Sequence, residues 1–148
     1  MKLFIDGDGS PVKDAAIAVA YTFSIPVVIV TSIDHYSTKE YTGQVQFVYV
    51  DQGADAADYR IVQLIQAKDI LITQDYGLAA LVLPKGVRVL HHLGYEYTKE
   101  TIDGLLEQRY FSAKIRKSGG HTKGPKPFTK EDSEAFKKAL TTLLMDEA

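Results

Sequence analysis

Short apolar runs alternate along this chain with longer stretches in which apolar positions recur every three or four residues. Leu3-Phe4-Ile5, Val27-Val28-Ile29-Val30, Val45 to Val50, Ile70-Leu71-Ile72-Thr73 and Val87 to Leu90 have the length and β-branched character of buried strands. The intervals read as helices. Pro11 to Phe23 is expected to form one, with Ser10 placed to cap it and Pro11 suited to its first turn. Ala56 to Gln66 puts Ile61, Leu64 and Ile65 at the i, i+3, i+4 spacing of a buried face, and a short helix follows the fourth strand through Leu78, Leu81 and Val82. Strands that alternate with helices predict βαβ units. The expected architecture is therefore α/β, with a central, mainly parallel five-stranded sheet flanked by helices.

Beyond Thr98 the pattern changes to helix and loop. Thr98-Lys-Glu-Thr opens a helix through Ile102, Leu105 and Leu106, and a Gly/Pro-rich linker runs from Ser118 to Pro127. Thr129-Lys-Glu-Asp132 has the form of a capping box, and Phe136, Leu140, Leu143 and Leu144 make one face of the helix that it starts. There is no internal repeat. The length, 148 residues, fits one domain over 1–148 with the C-terminal helices included.

Composition narrows the classes. No apolar run approaches the roughly 20 residues that cross a bilayer, and the N-terminus passes directly into Lys2-Leu3-Phe4 without a signal-peptide core. No membrane association and a cytoplasmic location are expected. The absence of cysteine excludes disulfides and thiolate metal sites. The net charge of -2 conceals an asymmetry: residues 1–108 hold 8 basic and 14 acidic side chains, whereas 109–130 hold 7 basic ones and no acid. Such a block is often a solvated face. Here glycine and proline keep part of it out of regular structure, and Tyr110, Phe111 and Phe128 flank it. Folded back towards a phosphate site, it would supply backbone contacts to a nucleic acid.

Open parallel sheets bind ligands beyond the carboxyl ends of their strands. The first strand delivers Asp6 and Asp8 there, the fourth delivers Asp75, and the helix after the third starts at Asp55 and Asp58. Five carboxylates from three stretches of chain would raise one another's pKa, and a divalent cation resolves that conflict. The bland alternative is capping, since aspartate is a favoured N-cap. Asp55, Asp58 and Asp75 are open to it. Asp6 and Asp8 are less so, because Ser10 is expected to occupy the cap of the first helix.

Other candidates carry less. Thr31, Ser32 and Asp34 follow the second strand but are ordinary loop residues, and His91-His92 after the fifth strand reads as a solvated or core-edge pair with no further ligand to complete a constellation. The nine tyrosines read as packing residues. No Gly-rich nucleotide loop and no G-x-S-x-G motif is present.

Four motifs in order carry a resemblance over essentially the whole chain: Phe4-Ile-Asp-Gly-Asp-Gly-Ser-Pro-Val-Lys13, Gly53-Ala-Asp-Ala-Ala-Asp58, Ile72-Thr-Gln-Asp-Tyr-Gly-Leu-Ala-Ala80 and Gly119-Gly-His-Thr-Lys-Gly-Pro-Lys-Pro-Phe128. They resemble the YaiI/YqxD family of small bacterial proteins. That resemblance implies a PIN-like three-layer fold, grouped with metal-dependent ribonucleases, and puts Asp6, Asp8, Asp55, Asp58 and Asp75 at the family's acidic positions. One departure is Gly9-Ser10, where the family commonly has Ala-Cys; any role of that cysteine is in doubt here.

Three readings follow. The first is a nuclease that cleaves phosphodiesters, RNA in preference to DNA, with Mg²⁺ or Mn²⁺ on Asp6, Asp8, Asp55, Asp58 and Asp75. Asp6, Asp8 and Asp75 are its catalytic set, and Lys13, Arg116, Lys117, Lys123 and Lys126 contact a single-stranded RNA backbone. The second is a haloacid-dehalogenase-like phosphatase with Asp6 as nucleophile and Asp8 as general acid. The third is a non-catalytic module that binds nucleic acid or protein. Salt dependence tests the basic block. Replacing Lys117, Lys123 and Lys126 by alanine should flatten the log–log salt slope of single-stranded RNA binding by about two units, at about 0.7 per phosphate. An unchanged slope in fluorescence anisotropy would remove these lysines from the interface.

Overall fold

The computed structural model describes residues 1–8, 10–33, 41, 43–53, 55–105, 107–108 and 127–147. Arg116, Lys117, Lys123, Lys126, Asp34 and Leu106 lie outside the described residues. Five parallel strands form as the apolar runs predict: β1 Leu3–Asp6, β2 Val27–Ser32, β3 Val45–Val50, β4 Ile70–Ile72 and β5 Arg88–Leu90. A sixth, β6 Glu96–Tyr97, pairs antiparallel to β5. Two residues are too few for a periodic signal, so this strand adds to the five that the apolar runs predict.

The strand order is β3-β2-β1-β4-β5-β6. The chain therefore leaves β1 in one direction for β2 and β3, then returns to the other side of β1 for β4. That reversal opens a crevice at the carboxyl ends of β1 and β4.

Both faces of the sheet are covered, so the strands are apolar without alternation. Leu3, Ile5, Ile29 and Ile72 pack under α1 (Lys13–Thr22) and α5 (Lys130–Glu147). Phe4, Val28, Val30 and Leu71 pack under α2 (Ala56–Leu64), α3 (Tyr76–Val82) and a helix over 99–105, here α4. The result is three layers. Among the described residues no helix is long and apolar enough to cross a membrane.

Local signals were mostly kept at helix ends. Thr129 and Asp132 exchange bonds as a capping box: the Thr129 N–H donates to Asp132 Oδ2 at 2.9 Å, and the Asp132 N–H to Thr129 Oγ1 at 3.1 Å. Thr98 and Thr101 do the same at the start of α4, both at 3.2 Å. The first helix differs from expectation. It begins at Lys13, with Val12 at the cap position and no side-chain cap. Ser10 accepts only a long bond from the Val12 N–H, 3.4 Å. Residues 11–12 form a turn that brings the chain from β1 to the helix, so Ser10 stays on the sheet edge.

Two polar clamps tie the layers together. Arg88 on β5 holds Glu96 on β6 through two bonds of 2.9 and 2.8 Å, and its third nitrogen reaches Glu147 at 2.9 Å. The guanidinium offsets the unfavourable placing of a carboxylate at the end of α5. Asp69, buried in the turn before β4, accepts from the Lys2 N–H and the Gln66 N–H, each at 2.9 Å. It joins the start of β1 to the end of the α2 segment. Asp69→Ala leaves both donors without their acceptor and should cost about 2 kcal/mol. The melting temperature should then fall by roughly 4–8 °C; a smaller change in a thermal melt would mean that water replaces the carboxylate.

Candidate functional site

Strand β1 ends at Asp6 and runs into Gly7 and Asp8, beside β2. Gly7 donates to the Val30 carbonyl at 2.8 Å, and a Cβ there would lie 2.9 Å from Ile29 Cγ2 and 3.0 Å from Thr31 Cβ. Only glycine lets the chain stay this close while turning two aspartates towards the crevice.

Each aspartate is held by a buried threonine from a neighbouring strand. Thr73, just past β4, donates to Asp6 Oδ2 at 2.8 Å, and its oxygen accepts from the Asp75 N–H at 3.0 Å. Thr31, on β2, donates to Asp8 Oδ1 at 2.6 Å, and the Ser32 N–H adds a second bond at 2.9 Å. Thr31 and Ser32 are thus positioning residues rather than the ordinary loop residues expected from sequence. A threonine hydroxyl looks like any strand residue until its partner across the sheet is known.

A cavity of about 240 Å³ opens beyond these strands, lined by Asp6, Asp8, Asp51, Asp55, Asp58 and Asp75 together with Ser32, Gly53 and Gln74. All five aspartates named from the sequence meet there. Asp51 was missed, although its place directly after β3 was the available signal. The capping alternatives resolve differently. Asp75 does cap α3, its Oδ1 accepting from Gly77 at 2.8 Å and Leu78 at 3.3 Å. Asp55 stands at the N-cap of α2 but makes no side-chain cap bond, and Asp58 lies beside the Asp75 carboxyl.

No lysine or arginine is among the described lining residues. Lys13 opens α1 half-buried and does not line the cavity. The carboxyls therefore repel one another. Burial first, then Asp75 and Asp8, pushes Asp6 up to about 6 despite the opposing Thr73 bond. Burial, with Asp75, Asp6 and Asp55, pushes Asp58 up to about 7. An all-oxygen, acidic donor set suits a hard divalent cation. Among the described residues no three such groups are already close enough to share one ion.

A second, smaller cavity of about 10 Å³, room for one water, lies against Asp6, Asp8, Ser10, Thr73, Gln74 and His92. The two histidines differ. His91 is buried at the core edge, and burial, with His92, lowers its pKa to about 4. His92 faces the aspartates, its pKa lowered by burial against a weaker opposing effect of Asp132.

Residues 4–146 match the family described as "Uncharacterized BCR, YaiI/YqxD family". The chain belongs to this family. A UPF0178 protein of Enterococcus faecalis is 69% identical over 144 residues, covering 97% of each chain. UPF0178 proteins of Bacillus thuringiensis and Bacillus anthracis are each 56% identical over 144 residues, covering 97% of this chain and 99% of theirs. No solved structure matches the chain.

The raised carboxyl pKa values set a pH dependence for the cation-free protein. Asp6 and Asp58 bind protons more tightly folded than unfolded, so stability falls as pH rises from about 4 to about 7. Asp6→Asn keeps an acceptor for Thr73 and removes the charge. It should stabilise the protein in EDTA near pH 7.5, by on the order of 2 kcal/mol, and much less near pH 4. Urea titrations of both proteins at the two pH values measure this; a difference that does not widen with pH would contradict the crowding.

Proposed function

We propose that this YaiI/YqxD protein is a divalent-cation-dependent nuclease that hydrolyses phosphodiesters in RNA in preference to DNA. The observation that carries the reading is the convergence of six aspartates on one cavity without a basic residue among the described lining. Asp6, Asp8 and Asp75 are the catalytic set, and Asp55 and Asp58 complete the ligands for Mg²⁺ or Mn²⁺. A cation held there would supply charge for the phosphoryl oxygens and a water of lowered pKa. The protein's own part is orientation. Thr73 and Thr31 each occupy one oxygen of Asp6 and Asp8, which sets how those carboxylates meet the cavity.

Support for a nucleic-acid substrate comes from the Lys- and Arg-rich run that ends near Phe128, whose ring packs against His92 on the aspartate wall. In this reading Lys13, Arg116, Lys117, Lys123 and Lys126 neutralise backbone phosphates and read no sequence. The PIN-like grouping that the resemblance to the YaiI/YqxD family implies points the same way.

Mn²⁺ should raise the stability of the wild-type protein, by about 2.7 kcal/mol at a hundredfold excess over Kd, and Asp6→Asn should abolish most of the gain. The same substitution stabilises the cation-free protein, so the two effects have opposite signs. Thermal melts in EDTA and in Mn²⁺ read both. Purified protein should cleave labelled RNA oligonucleotides, and DNA more slowly, only with the cation present. An equal Mn²⁺ response in wild type and mutant would sink the site. Binding without turnover would leave a non-catalytic module, and trapping by beryllium fluoride would favour the phosphatase.

A further inference from the structure

The turn between β5 and β6 sets a row of rings beside the carboxylate cavity. His91 stacks on Tyr95, with centroids 4.4 Å apart and planes 11° from parallel. His92 lies 4.2 Å from His91 and meets the Phe128 ring edge-on at 5.5 Å. His92 also lines the small cavity with Asp6 and Asp8. The row thus runs from the aspartate wall outward to Tyr95, which is 38% exposed, with Leu93 beside it at 47%.

The turn that carries these rings is held by its own hydrogen bonds. The Leu93 N–H donates to His91 Nδ1 at 3.0 Å, the His91 N–H to the Tyr95 carbonyl at 2.9 Å, and the Gly94 N–H to the His91 carbonyl at 2.9 Å. Gly94 takes φ 98°, a left-handed turn that favours glycine, and a Cβ there would lie 3.3 Å from the Ala135 carbonyl of α5. Tyr95, on a fixed turn and stacked on His91, loses little freedom when a ligand stacks on it.

A ring surface beside a hard-cation cavity suits a ligand that carries flat apolar faces and phosphates on one backbone. Unpaired nucleotides are such a ligand. In a duplex the base faces are already covered by their neighbours. We propose that Tyr95, at the outer end of this row, is a stacking platform for an unpaired base of a single-stranded nucleic acid whose phosphate lies at the carboxylate cavity. This rests on the nuclease reading and its single-stranded substrate, and adds the residue that holds an unpaired base. Stacking of this kind tolerates any base, so selection is by strandedness and not by sequence.

Anisotropy of one labelled RNA, single-stranded and as a duplex, in Ca²⁺ tests the platform. Wild type should prefer the single strand. Tyr95→Ala should weaken single-strand binding about tenfold, equivalent to about 1.4 kcal/mol, and leave duplex binding and the Mn²⁺ melting shift unchanged. Tyr95→Phe should bind as wild type does. If Tyr95→Ala melts early, Tyr95→Leu keeps apolar cover over His91 and should show the same loss. Equal affinity of wild type for both forms, or an unaltered Tyr95→Ala, overturns the platform and leaves the cation site standing. Single-strand preference that depends on Tyr95 in a protein without any Mn²⁺ response supports the platform and overturns the nuclease. A wild type that answers to neither Mn²⁺ nor RNA overturns both.

Discussion

Strand β1 has two parallel neighbours, β2 and β4, and helices over both faces, so almost every constraint in the molecule passes through its four residues. Leu3, Phe4 and Ile5 must be apolar on either side of the pleat because neither side meets water. At Asp6 the strand reaches the end of that cover, and at Gly7 it is pressed so closely against Ile29 and Thr31 that no side chain fits. The same reversal of strand order that buries β1 at the centre leaves its carboxyl end facing an open crevice. Burial of the strand and presentation of its aspartates are therefore consequences of one topology.

Crowded carboxylates oppose folding when nothing neutralises them, and the structure accepts that cost at the sheet edge because its stability is secured elsewhere. Two apolar clusters, one on each face, hold the layers. Asp69 pins β1 to the turn before β4, and Arg88 joins β5, β6 and the end of α5. Each of these lies away from the cavity. Thr73 and Thr31 are the bridge between the two regions: buried like core residues, they spend their hydroxyl protons on Asp6 and Asp8 and so transmit the rigidity of the sheet to the site. A hydroxyl of this kind limits the rotamers of its partner without adding charge to a region that already has too much.

The β5–β6 turn adds His92 to the small cavity that Asp6 and Asp8 also line. It is set by His91, Leu93 and Gly94 and leans on α5, the same helix whose capping box begins one residue after Phe128. The aspartate wall, the ring row and the end of the basic run thus meet around His92.

The sequence by itself determined the five parallel strands, the faces of α2 and α5, the capping box at Thr129 and the five aspartates that gather at the sheet edge. Those features are local. An apolar run long enough to be buried, a helical period or a strand-end aspartate announces itself within a few residues, and the parallel order then sends every strand's carboxyl end to one side. Tertiary structure alone decided the rest. Ser10 gave up the cap because residues 11–12 turn before the helix starts at Lys13. Asp75 serves both as cap and cavity wall, whereas Asp55 at the same kind of position caps nothing. Thr31, Thr73 and His92 entered the site because β2, β4 and the β5–β6 turn lie beside β1 in space, at separations of 23 residues or more along the chain. A hydroxyl or an imidazole acquires its role from what stands opposite, and no spacing within one strand encodes that neighbour.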